Sequence, residues 1–171
     1  MKDYWLAKLI SSVPKVDSRK RLQKSIYLLQ FCKGFPLKFD YFLHYYGPYS
    51  FELASTIDQL NAADIIKEVP EPVSIGVRYS SSIAPKGEKV LDSFEKTDAG
   101  QRALNKIKNF FNLFASLNKE NPWVLELAAT VAYFHENTWA SAQAQTVTFK
   151  KVRADDSNLK KAVKIAKAFK N

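Results

Sequence analysis

At 171 residues, 46% hydrophobic and 13% aromatic, the chain is long enough to bury a core without covalent staples, and its one cysteine, Cys32, excludes an internal disulfide. The opening MKDYWLAKLISSVPK holds no apolar run of signal-peptide or membrane-spanning length, so the expectation is a soluble, cytoplasmic protein with no membrane partner. The formal net charge of +9 is concentrated late in the chain: residues 101–171 carry 12 basic against 5 acidic side chains, so any attraction for an anionic partner is expected there.

In DYWLAKLISSV, Trp5, Leu9 and Val13, flanked by Leu6 and Ile10, recur at helical spacing, and Pro14 ends the helix. A second helix is predicted from Asp17 to Cys32, with Leu22, Ile26 and Leu29 on its apolar stripe and Gly34 as its stop. Arg19, Lys20, Arg21 and Lys24 crowd its beginning, the end where the helix dipole disfavours cations, a pattern compatible with a partner. KFDYFLHYY reads as extended over residues 39–46. In HYYGPYS, residues 44–50, Gly47 and Pro48 read as a turn joining this segment to a third helix, which Ser50 caps and which runs to Ala63 with Leu53, Ile57 and Leu60 inward. IIKEV and VRYSSSIA, joined by PEPVSIG, read as a β-hairpin, and three helices followed by a hairpin is the order of a winged helix.

The polar stretch KGEKVLDSFEKT, residues 86–97, reads as the boundary between two lobes. QRALNKIKNFFNLFASL then reads as one helix buried on two sides through Leu104, Ile107, Phe111 and Phe114. Asn121 and Pro122 open a helix in WVLELAATVAYF. Over residues 138–152, Ala140, Ala144 and Val147 have helical spacing although TVTF alternates like a strand, and helix is preferred. A last helix, from about Asp156 to Lys170, puts Lys160, Lys164 and Lys167 on one stripe and Leu159, Val163 and Ala166 on another. The predicted fold is therefore mainly α with a small β-hairpin (α+β): a winged-helix-like lobe, residues 1–90, packed on a helical lobe, residues 91–171, in one compact domain.

Five glycines, none spaced as in a Rossmann fingerprint or a P-loop, argue against those routes to nucleotides. Cys32, His44 and His135 lack metal-ligand spacing, so no metal, cofactor or catalytic residue is assigned and no enzyme is expected. Glu126, inside an apolar helix with Thr130 one turn on, reads either as a perturbed acid in a pocket or as a carboxylate anchoring a neighbouring Lys, Arg or backbone N–H between the lobes. The anchor is preferred because no second catalytic group accompanies it.

Three stretches, RKRLQKSIYLLQ (19–30), HYYGPYSFELASTIDQLNAADII (44–66) and WVLELAATVAYF (123–134), together resemble the YwgA-like proteins and the related SocA-like antitoxins that share the Panacea domain. In that group a K-L-Q-K-x-x-Y-L helix precedes an aromatic segment, Y-G-P-Y-S opens a helix, and the YwgA-like branch adds L-E-L-A-A-T. This chain departs at Ala62-Ala63-Asp64, where glycine is common. The resemblance implies a compact helical protein with a small hairpin. In many relatives, bacterial or phage, it also implies the antitoxin half of a toxin–antitoxin system, acting by direct protein binding and without catalysis.

The function expected is accordingly a non-catalytic protein-interaction module that neutralises a protein toxin. Tyr45, Tyr46 and Tyr49 are its partner-binding candidates, although the same rings also suit packing between the lobes. Gly47, Pro48, Ser50, Glu126 and Thr130 are expected to be structural. The alternative is non-specific nucleic-acid binding through Lys160, Lys164 and Lys167, a stripe that also suits a simple solvated face. Sequence reading of DNA is not expected, since the third helix carries Glu52, Asp58 and Asp64 but no Lys or Arg.

Overall fold

The computed structural model describes residues 1–31, 34–74 and 76–170, so the predicted helix end at Cys32 lies outside the described residues. The chain is mainly helical with two small antiparallel sheets, an α+β architecture. In order it forms α1 (Lys2–Ser11), α2 (Arg19–Phe31), β1 (Phe42–His44), β2 (Gly47–Tyr49), α3 (Phe51–Ala62), β3 (Ile66–Pro72), β4 (Val77–Ile83), α4 (Pro85–Glu95) and α5 (Asp98–Ile107). A 3₁₀ turn (Lys108–Phe110), α6 (Phe111–Lys119), α7 (Pro122–Phe134), α8 (Trp139–Lys150) and α9 (Ser157–Ala168) complete it.

The centre is set by α7, whose residues from Val124 to Ala132 are all buried. A helix apolar all round can satisfy its surface only by being enclosed, and α2, α8, α9 and β2 pack around it. Asn121 starts it, its Oδ1 accepting from the N–H of Trp123 at 2.8 Å. One continuous hydrophobic core runs from Trp5 and Leu9 in α1 through Leu22 and Ile26 in α2 to Val163 and Ala166 in α9, and so joins both halves of the chain.

Several expectations need correction. Residues 86–97, read as a polar connection, mostly form α4, a surface helix that buries only Gly87 and Leu91 and seats Gly87 against the Ile65 carbonyl. Its sparse apolar content reflects that single buried turn. The predicted helix of residues 101–117 begins at Asp98 behind a Thr97 cap and is interrupted by the 3₁₀ turn, where Phe110 packs edge-on against Phe35 at 4.8 Å. The extended segment continues past residue 46 into a second hairpin, with Phe42 opposite Tyr49 and His44 opposite Gly47. Gly47 and Pro48 thus stand in β2, and Tyr45-Tyr46 make the turn.

Other expectations hold. Residues 139–150 are helical. Ser50 caps α3, its Oγ accepting from the Leu53 N–H at 3.1 Å. Asp64 takes the left-handed conformation (φ 56°), which Asp tolerates better than most residues. Between α1 and α2, Val16 exchanges both backbone hydrogen bonds with Ser81 of β4, at 2.8 and 2.9 Å.

The basic start of α2 has an internal explanation. Arg19 is salt-bridged to Glu68 and to Asp58, the latter at 2.6 Å. Arg21 donates to the carbonyls of Asn118 and Glu120, at 2.7 and 2.6 Å, at the C-terminal end of α6 where a cation is favoured. These cations serve neighbouring elements rather than their own helix.

Candidate partner-docking site

Two glutamines one heptad apart on α2 hold the aromatic segment in place. Gln23 donates through Nε2 to the Ser50 carbonyl at 2.8 Å and accepts through Oε1 from the Ser50 N–H at 3.0 Å. Gln30 does the same to Phe39, at 2.7 and 2.8 Å. An amide side chain offers one donor and one acceptor, so each glutamine pairs with both polar groups of one residue's backbone, as a neighbouring strand would. Residues 39–50 therefore run back along α2, which leaves the β1–β2 turn projecting near its N-terminal end. Lys24, buried on α2, donates to the Pro48 carbonyl at 2.7 Å.

From the other side the hairpin rests on α7. Gly47 has φ +82°, and a Cβ placed there would lie 2.8 Å from the Thr130 Oγ1. Only glycine permits both the conformation and the approach. The Thr130 hydroxyl donates to the Glu126 backbone carbonyl at 2.7 Å.

The carboxylate of Glu126, 4% exposed, is shared by Lys150 of α8 and by Lys20 of α2, the latter at 2.9 Å. Lys150 also donates to the Tyr45 carbonyl at 2.7 Å, tying the turn to α8. Glu126 thus bridges α7 to α2 and α8 through these two ion pairs. Burial lowers the Lys24 amine to about 7, with Lys150 and Lys20 nearby acting in the same direction and Glu126 opposing. Burial likewise lowers Lys150, against the opposing pull of Glu126.

Above this framework lies an exposed aromatic surface. Tyr45, Tyr46, Phe51 and Phe42 are 75%, 49%, 70% and 38% exposed. The rings contact one another: Phe42 stacks on Phe51 at 5.0 Å, Tyr49 meets Phe51 at 5.2 Å, Tyr45 meets Tyr46 at 5.1 Å, and His44 lies 5.8 Å from Tyr46. Packing between lobes, the competing reading of these tyrosines, does not describe Tyr45 and Tyr46, because the two-residue turn points them outward; Tyr49 is half-buried.

The remaining candidates lie apart from this surface. Lys160, Lys164 and Lys167 are exposed on α9, behind a buried stripe of Leu159, Ala162, Val163 and Ala166. His135 caps the far end of α7 against Trp139 and Lys170. Cys32 is outside the described residues. Among the described residues no helix is long and apolar enough to cross a membrane.

Sequence reasoning missed Phe42 and Phe51 as members of the surface, and Lys20, Lys24 and Lys150 as its foundation. Alternation in FDYFLHYY gave a signal for Phe42. Nothing local separates Lys150 from Lys151, since only the meeting of α8 with α7 decides which ammonium reaches Glu126.

No family model matches the chain. It is 31% identical over 129 residues to the uncharacterized protein YwgA of Bacillus subtilis (strain 168), a match covering 75% of this chain and 72% of that protein. The stretches that carried the resemblance converge in space: Gln23 and Lys24 hold Ser50 and Pro48, Lys20 reaches Glu126, and Gly47 abuts Thr130.

Proposed function

The chain belongs to the YwgA-like family, and on that premise we propose that it is a non-catalytic protein-interaction module whose docking surface is the aromatic face around the β1–β2 hairpin. The observation that carries this reading is the contiguous group of exposed Phe42, His44, Tyr45, Tyr46 and Phe51 with half-buried Tyr49, on a scaffold fixed by Gln23, Lys24 and Gly47. Clustered exposed aromatics are uncommon on a surface facing only water, and rigid aromatic anchors supply most of the energy of protein interfaces. In the manner of the SocA-like antitoxins it resembles, the chain would neutralise a protein toxin in the cytoplasm by occluding it.

The experiment is co-expression with the product of the neighbouring gene. That product alone stops growth, the chain restores growth, and a Tyr45→Ala/Phe51→Ala variant of unchanged melting temperature does not. Restoration that survives the double substitution overturns the proposal.

A second reading is favoured by the exposed lysine stripe of α9, which suits non-specific contact with phosphates. This reading would take the N-terminal elements as a winged helix, with β3–β4 as its wing and the Val16–Ser81 bridge as a further strand position. The helix that would read bases in such a fold is α3, and its exposed Glu52 and Asp58, with Asp64 just past its end, disfavour a phosphate backbone. This reading is therefore confined to α9.

A further inference from the structure

Beside the hairpin turn is a slot of about 170 Å³ lined by the rings of Tyr45, Tyr46, Trp123 and Phe149 and by the charged groups of Lys20, Lys150 and Glu126. We propose that this slot receives one carboxylate, the side chain of an acidic residue of the docked partner, which ligates Lys20 and Lys150. The proposal rests on the docking reading above and names the partner's chemistry at one point of contact.

Charge is the first ground. Lys20 and Lys150 share the single Glu126 carboxylate, and Lys151 adds a further cation to the lining. The slot is short of negative charge, and a second carboxylate makes up the deficit. The donor inventory agrees: an ammonium has three N–H groups. Lys150 spends one on Glu126 and one on the Tyr45 carbonyl, and Lys20 spends one on Glu126, so both retain donors.

Size is the second ground. The slot is well below the roughly 300–1,000 Å³ of pockets that enclose whole small molecules, so its volume suits a single side chain. Aromatic walls suit the methylenes of that side chain, and they hold the cations in place: Lys20 sits 4.2 Å from the Tyr46 ring centre, and Lys150 sits 5.4 Å from that of Phe149. Because Tyr45 and Tyr46 belong both to the slot and to the exposed surface, a partner covering the rings would deliver its side chain directly into it.

The test is an NMR titration of the isolated protein with Nα-acetylglutamate amide, using its neutral glutamine counterpart as control and following the Trp123 indole N–H and the Lys20 and Lys150 side-chain resonances. Saturable shifts with the glutamate probe only are expected, weakened at least tenfold by Lys20→Met and tightened several-fold by Glu126→Gln. The inference is overturned by shifts that do not saturate, by shifts that survive Lys20→Met, or by inorganic phosphate saturating the same resonances more tightly. Partner binding that depends on Phe51 while this titration fails sinks the slot inference alone. A positive titration with partner binding indifferent to Tyr45 and Phe51 sinks the docking reading instead.

Discussion

Replacing Gly47 with Ala strikes the point where the hairpin meets α7, and its cost divides into two parts. The left-handed backbone (φ +82°) penalises any Cβ by about 1–2 kcal/mol. The new methyl would also stand 2.8 Å from the Oγ1 of Thr130, which is fully buried on α7, and such overpacking costs about 1–3 kcal/mol. The expected loss is about 2–5 kcal/mol, read as a fall in the urea midpoint and in a melting temperature that drops by roughly 2–4 °C per kcal/mol at this chain length. Gly34 provides the control, since it has φ +89° but nothing within 4 Å of an added Cβ, so Gly34→Ala should lose only the backbone part. A Thr130→Ala background removes the obstructing oxygen and should recover about 1–2 kcal/mol of the Gly47→Ala loss. Equal costs at Gly34 and Gly47, with no coupling to Thr130, would refute this account of the junction.

Ser50→Ala should cost about 1 kcal/mol in a denaturant melt, and Gln23→Ala about 1–3 kcal/mol because it leaves the buried Ser50 N–H unpaired; a neutral Gln23→Ala result would contradict the clamp. Lys24 has its amine lowered from its ordinary 10.5 to about 7, so the unfolded chain holds the extra proton between those values and the folded state gains stability as pH rises through that window. Relative to Lys24→Met, the wild type should therefore gain from pH 7 to 10, with a slope approaching about 1.4 kcal/mol per pH unit, and a gap independent of pH would be inconsistent with a buried amine. Glu126→Ala, which strands Lys150, should cost about 3–5 kcal/mol, whereas Lys20→Met, removing the half-exposed ammonium and leaving Glu126 paired with Lys150, should cost under about 1 kcal/mol; equal losses would mean that Lys150 is not the buried partner. On α9, Val163→Asp should destabilise by several kcal/mol, on the order of the cost of an unpaired buried charge, while reversing Lys160, Lys164 and Lys167 to Glu leaves the melt unchanged and abolishes any salt-sensitive binding of DNA.

Helices whose stripes or caps are local were legible in the sequence: α7 from its apolar run behind Asn121-Pro122, α3 from Ser50, and α9 from the acids ahead of it and its divided stripes. The helix α4 was not, because it buries only Gly87 and Leu91, and a mostly solvated helix resembles a linker in composition. The site was legible in its parts but not in its assembly. Glu126 was recognisable as an anchor, and Gly47, Pro48 and Ser50 as structural. What Gln23 and Lys24 do depends on a segment more than twenty residues away folding back along their helix, and helical periodicity describes only which residues share a face. The outward direction of Tyr45 and Tyr46 likewise follows from a register, His44 opposite Gly47, that the placement of the turn at Gly47-Pro48 misjudged.

The central claim is that the chain acts by binding a protein through the rings around β1–β2. Its most direct test is the calorimetric affinity for the neighbouring gene's product of the wild type against Tyr45→Ala/Phe51→Ala, two rings 75% and 70% exposed whose removal leaves the core untouched. The account predicts at least about a thirtyfold loss of affinity, the scale of one interface hot spot, with an unchanged melting temperature. An affinity equal to that of the wild type would contradict it.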